Sequence, residues 1–329
     1  MNRIAVALLC FSLLAGCNRD KTKQAAGDPA APIPAKPRNA DTPKASGSLM
    51  EARQGFQSKL TAPAGDKQPV DEPPTALFRK VQYTSPAGNL AAYLTPDPKD
   101  GKKHPAIIWI TGGDCNSIDK GSWDEGTPAN HQSASAFRKA GIAMMFPALR
   151  GGNDNPGRKE GFLGEVDDVL AAADFLAKQE FVDPKRIYLG GHSTGGTLVL
   201  LVSECTGRFR AVFSFGPTND VSGYGPEFTP FDRTNPQEVA LRSPGRWLAE
   251  ITSPTFVIEG AVQGNLAALL AMKKSSTNRQ VHFLTARRAN HFSVLYPATR
   301  LLATKVVQDD GETCNISVTE DELNKPASK

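Results

Sequence analysis

Apolar residues in this chain gather in short runs separated by polar, glycine- and proline-rich connections. Eight runs read as strands: VQYTS from Val81, NLAAYLT from Asn89, PAIIWI from Pro105, IAMMFP from Ile142, RIYLG from Arg186, AVFSFG from Ala211, PTFVIEG from Pro254 and VHFLTA from Val281. Each has strand length, and most carry β-branched or aromatic side chains. Helical spacing fills several gaps. Val166, Val169, Leu170, Ala173 and Leu176 recur at three- and four-residue intervals between Leu163 and Ala177. Thr197 to Val202 is apolar on all sides, which predicts a buried helix. Ser48 and Glu51 have capping-box spacing, so a short helix is expected from about 49 to 60. Asp183-Pro184 predicts a turn ahead of RIYLG. Strands alternating with helices predict an α/β domain, a mostly parallel central sheet with helices on both faces.

The two ends read differently. MNR precedes the apolar run IAVALLCFSLLAG, too short to span a bilayer as a helix but suited to a signal peptide over residues 1–16. Leu14-Ala15-Gly16-Cys17 resembles the lipobox of bacterial lipoproteins, which implies cleavage before Cys17 and acyl chains on it. With Asn18 after the cysteine, the expectation is the periplasmic face of the outer membrane. Residues 17–47 are rich in Pro, Ala and Lys with few large apolar side chains, the composition of a tether. The folded domain is expected over 48–310 and a flexible tail over 311–329.

The formal charge of +4 sits at the N-terminal end, since residues 1–50 carry seven basic and three acidic side chains. The remainder sums to zero, which argues against a nucleic-acid surface on the folded part. Cys115, Cys205 and Cys314 are left to that part. An oxidising compartment permits one bridge among them, and none has metal-ligand spacing.

Between RIYL and TLVLLV stands GGHSTGG, residues 190–196. Gly191 to Gly195 fit G-x-S-x-G, and no lysine follows to make a phosphate loop. On a strand-to-helix turn this is a nucleophile elbow: Ser193 is lifted over the strand ends, beside the free N–H groups of a helix start.

From about Val81 to Val307 the chain resembles the catalytic domain of the prolyl oligopeptidase family of serine hydrolases, near its dienelactone-hydrolase-like branch. PAIIWITGG, FPALRGGNDNPG, GEVDDVLAAADFLAKQEFVDPKRIYLGGHSTGG, LRSPGRWLAEITSPTFVIEG and ANHFSVL carry the likeness, in the family's order. The family's β-propeller has no counterpart. The resemblance implies an α/β-hydrolase fold and acyl transfer without a cofactor.

Ser193 needs a base. Of the five histidines, His104, His131, His192 and His282 lie on strands, in a polar loop or inside the elbow. His291 follows the last strand, where such folds carry their base. The oxyanion hole is expected from the backbone N–H of Thr194 and one from the loop after PAIIWI, by position Gly113. The acid departs from the family. Gln263 stands where an aspartate is expected, and losing that carboxylate costs around 10⁴ in rate. Glu259 at the strand end and Asp220 after the preceding strand are the substitutes, Glu259 favoured for its reach. The expected function is hydrolysis of ester or small peptide bonds. The alternative is a degenerate hydrolase that binds a ligand without turnover.

Overall fold

The computed structural model describes residues 47–61 and 67–325, and the expected signal peptide, Cys17 and the expected tether up to residue 46 lie outside them. The elements run α1 (Leu49–Arg53), β1 (Arg79–Ser85), β2 (Gly88–Leu94), β3 (His104–Ile110), α2 (Ala136–Lys139) and β4 (Ala143–Pro147). Then follow α3 (Glu165–Ala177), β5 (Val182–His192), α4 (Thr194–Cys205), β6 (Val212–Phe215) and α5 (Pro236–Ala240). The chain continues with β7 (Thr255–Gly260), α6 (Leu266–Ser275), β8 (Val281–Ala286), α7 (Leu295–Gln308) and α8 (Glu320–Leu323).

The strands form one sheet in the order β1-β2-β4-β3-β5-β6-β7-β8. The first two pairings, β1 with β2 and β2 with β4, are antiparallel, and the rest are parallel. The continuous apolar strands are those covered on both faces: every residue of β4, β6 and β7 is buried. One core packs α3 and α4 on one face, with Val169, Leu176, Leu198 and Val202 in it. The other packs α2 and α7 on the opposite face, with Phe137, Trp109, Phe213 and Leu302. This is the α/β-hydrolase arrangement expected from the sequence.

Two local expectations change. Helix α1 ends at Arg53, because Gly55 turns to φ +69° and the next residues run extended. There Leu60 bridges Phe231, and Lys59 N donates to Glu238 Oε1 at 2.6 Å. Glu238 also pairs with Arg242 at 2.6 Å, both side chains fully buried, and tertiary pairing thus outweighs helix propensity. The Asp183-Pro184 turn is present but lies inside β5, looped out between the pairs His104↔Val182 and Ala106↔Ile187.

The expected flexible tail is a correction, since residues 311–325 are packed. Ile316, Val318 and Leu323 are buried, and Thr319 with Glu322 makes a capping box for α8. Glu320 and Asn324 take up the free N–H of Thr285 and C=O of Thr285 on the outer edge of β8. Asp309 anchors the start of this segment, pairing with Arg210 at 2.7 Å and accepting from Tyr188 Oη at 2.6 Å. The permitted disulfide is not formed: Cys115, Cys205 and Cys314 are free thiols.

Glu204, near the end of α4, is buried with neither carboxylate oxygen hydrogen-bonded to the protein. Burial, aided by the charge of Glu250, holds its pKa well above the usual range. The folded state therefore keeps a proton that the unfolded chain releases above about pH 4.3, so this side chain costs more stability as pH rises. Glu204→Leu is expected to raise the denaturant midpoint at pH 8 by more than at pH 5. The gain at neutral pH should be about 1–3 kcal/mol, the cost of an unpaired buried polar group.

Candidate active site

The site is built from the strand–turn–helix at its centre. Strand β5 ends at His192 and α4 begins at Thr194, leaving Ser193 alone between them at φ 56°, ψ −115°. A non-glycine residue held there costs on the order of 1–3 kcal/mol, which the surrounding structure must supply. Two contacts supply it. Ser193 N donates to Phe215 O at 2.7 Å, and Thr197 N to Ser193 O at 2.9 Å. A Cβ at Gly195 would overlap Ile110 O, and one at Gly196 would overlap Phe215 O. Only glycine lets α4 settle this close to β3 and β6.

Thr194 Oγ1 donates to Gly113 O at 2.8 Å, tying the helix start to the loop after β3. Gly113 itself turns at φ +80° with open space beside it. No hydrogen bond within the described residues uses the backbone N–H of Thr194 or of Gly113. Beside this loop lies a cleft of about 620 Å³, with Thr111, Gly112, Gln132, Asp71, Asp114 and Asp119 among its walls. A Cβ on Gly112 would stand 3.1 Å from Ser193 Cβ, so this wall of the cleft borders the elbow.

Glu259 closes β7, fully buried. Its Oε1 accepts from Gly260 N at 2.6 Å, and its Oε2 from Asn265 N at 2.9 Å and His291 Nδ1 at 2.8 Å. The carboxylate requires the proton on Nδ1, which leaves Nε2 of the neutral ring as an acceptor. That Nε2 is buried and makes no hydrogen bond to the protein. His291 N donates to Gln263 O at 3.2 Å. Gln263 thus supports the loop through its backbone, at φ 63°, while its side chain is exposed. Asp220 is not brought to His291. It caps the single turn Val221–Gly223, accepting from Ser222 N at 2.9 Å.

Two residues that the sequence did not single out complete the frame. His192 is fully buried, and its Nε2 donates to His291 O at 2.9 Å. Its Nδ1 therefore accepts, and Gln132 Nε2 donates to it at 2.9 Å. Gln132 Oε1 in turn accepts from Gly112 N at 3.4 Å. One side chain pair thus links the loop after β3, the strand–helix turn and the loop that carries His291. Burial first, then the neighbouring His291 ring 4.5 Å away, holds the His192 pKa well below its usual value, so the ring is neutral. No periodicity or spacing relates positions 132 and 192.

Residues 129–305, which contain all these side chains except the loop after β3 and the cleft's first wall, match the family model described as Prolyl oligopeptidase family. The chain is 33% identical over 89 residues to the dual function macrocyclase-peptidase POPB of Galerina marginata, covering 25% of this chain and 12% of that protein. It is 24% identical over 223 residues to dipeptidyl-peptidase 5 of Porphyromonas gingivalis, covering 60% of this chain and 32% of the relative. This chain therefore spans a minor part of the length of these curated relatives. Among solved structures, 2,6-dihydroxy-pseudo-oxynicotine hydrolase superposes with a TM-score of 0.57 at 16% identity, over 71% of this chain and 68% of that one. That likeness is one of fold.

Gly216 walls the pair on the side of β6. It turns at φ +56°, and a Cβ there would stand 2.5 Å from His291 Cε1 and 2.8 Å from Glu259 Oε2. Gly216→Ala is expected to push the ring off the carboxylate. The low-field Nδ1–H proton signal of His291 should move or vanish in NMR spectra, with a stability loss of about 1–3 kcal/mol. An unshifted signal would count against the packing described.

Proposed function

Since this chain belongs to the prolyl oligopeptidase family, we propose that it is a serine hydrolase cleaving ester or small peptide and amide bonds through an acyl-enzyme. The observation that carries this reading is the buried Glu259–His291 pair at 2.8 Å, whose Nε2 makes no hydrogen bond among the described residues, on a loop that His192, the neighbour of Ser193, holds through His291 O at 2.9 Å. In the proposed reaction Ser193 Oγ attacks the carbonyl carbon while its proton passes to His291 Nε2. Glu259, hydrogen-bonded to Nδ1, stabilises the imidazolium that forms. The N–H groups of Thr194 and Gly113 receive the oxyanion, and one such donor is worth about 3 kcal/mol of barrier. The tetrahedral species then expels the alcohol or amine, which takes the proton from Nε2. Water, giving a proton to Nε2, attacks the acyl carbon. Ser193 recovers its proton as the acid leaves.

Glu259 does from a strand end what the family's aspartate does from a loop. The absent aspartate at Gln263 was the main ground for a non-catalytic binding module, and the Glu259 contact weakens that ground. The connection between β6 and β7, residues 216–254, leaves room for a small lid at most, which favours esters ahead of peptides. The Leu14-Ala15-Gly16-Cys17 sequence supports a lipid-anchored protein on the periplasmic face of the outer membrane.

Ser193→Ala is expected to abolish fluorophosphonate labelling and ester turnover with little change in Tm. Glu259→Gln should lower kcat by about 10² to 10⁴, and Asp220→Asn should do far less. Full labelling of the Ser193→Ala protein would refute the nucleophile. A dead Asp220→Asn beside an active Glu259→Gln would refute the acid.

Anchoring is tested separately by fractionation and palmitate incorporation. The wild type should follow membranes and take up label, and Cys17→Ser should do neither.

A further inference from the structure

The folded part is neutral in sum, but its charge is unevenly spread. From Ala261 to Gln308 the sequence holds seven basic residues and no aspartate or glutamate. Lys305 pairs with Glu322, Arg287 approaches Asp321 at 3.9 Å, and Arg300 lies over the Tyr296 ring. Lys273, Lys274, Arg279 and Arg288 are exposed, and none of them makes an ion pair among the described residues.

Helix α6 is the centre of this surface. Its inner side chains Leu269 and Met272 are buried against Val257 and Val281. Its outer stripe is Ala267, Leu270, Ala271 and Lys274, at the i, i+3, i+4, i+7 spacing of one helix face, and all four are exposed. The large apolar side chains exposed among the described residues are Val262, Leu270 and Val307. Two of these three belong here: Leu270 is 49% exposed on α6, and Val262 is 53% exposed in the turn leading into it. The adjoining segment 244–250 adds one base, Arg246, and one acid, Glu250. This outer stripe is apolar and ends in cations that make no ion pair among the described residues.

We infer that this face docks the folded domain on an anionic phospholipid bilayer. Val262 and Leu270 enter the headgroup boundary, and Lys273, Lys274 and Arg279 meet the lipid phosphates. Apolar side chains set among the cations favour lipid over a polynucleotide, which would be bound by cations and stacking aromatic rings. The segment 17–46, outside the described residues, has the same sign of charge, with Arg19, Lys21, Lys23, Lys36, Arg38 and Lys44 against three aspartates. Val262 shares its turn with Gln263, whose carbonyl holds His291 N, so the docked face borders the candidate active site. The inference requires neither acylation at Cys17 nor catalysis at Ser193.

The test uses the full chain carrying Cys17→Ser, so that no acyl chain contributes. It is co-sedimented with vesicles of phosphatidylcholine alone or mixed with phosphatidylglycerol, and fluorophosphonate labelling and circular dichroism are recorded alongside as independent readouts. Binding is expected only with phosphatidylglycerol present, and should weaken with salt. Lys273→Gln and Lys274→Gln should each lower partitioning about fivefold. The Val262→Ser, Leu270→Ser double variant should lower it several-fold with folding unchanged. Replacing Lys21 and Lys23 by Gln should leave the α6 dependence in place. The proposal is overturned if phosphatidylglycerol vesicles retain no protein. It is equally overturned if retention is untouched by the α6 variants, or if the apolar variant has no effect while a single-stranded oligonucleotide displaces the vesicles.

Discussion

Helix α4 lies so close to the sheet that the carbonyl oxygens of Ile110 and Phe215 fill the space where side chains at positions 195 and 196 would begin. That approach dictates the rest of the site. A strand feeding a helix at this distance has one residue in which to reverse, and Ser193 takes the strained conformation that the reversal demands. The same geometry aims the first N–H groups of α4 at the space above Ser193. The helix can afford no polar face, and from Thr194 to Glu204 every residue is buried. The apolar run after the elbow and the glycines within it are therefore two expressions of one packing requirement.

The parts of this molecule that were legible in the sequence are those governed by local pattern. All eight strands were readable, because parallel strands covered on both faces are continuous apolar runs of limited length. The elbow was readable because close approach demands glycine at fixed positions. What escaped depends on partners distant in sequence. Helix α1 stops early because Lys59 and Leu60 pair with residues near 231–238. Gln132 and His192 are 60 residues apart, and nothing in either neighbourhood announces the other. Residues 311–325 look like a polar tail, and their order depends on the edge of β8 and on Arg210, both distant in sequence.

The location of the carboxylate has a structural logic of its own. An acid carried on a loop is oriented by that loop. Glu259 is oriented by a strand hydrogen-bonded on both sides, with Phe215↔Ile258 on one flank and Glu259↔Thr285 on the other. Its second oxygen is fixed by Gly260 N, and Asn265 N adds a further donor. The 261–264 turn then has no side chain to contribute to His291. It supplies a backbone carbonyl and closes round the pair with Gly264, whose missing side chain leaves room for the His291 Cβ. Positions 262 and 263 are thereby released to face outwards.

The C-terminal segment stands over β8 as a cover. Without residues 311–325 the sheet would keep all eight strands and the whole candidate active site. Its last strand would nevertheless present unpaired N–H and C=O groups and an apolar flank along an open border. Such a border is a template for another copy of itself. Residues 311–325 thus bear on whether two copies can pair along that border when the protein is concentrated.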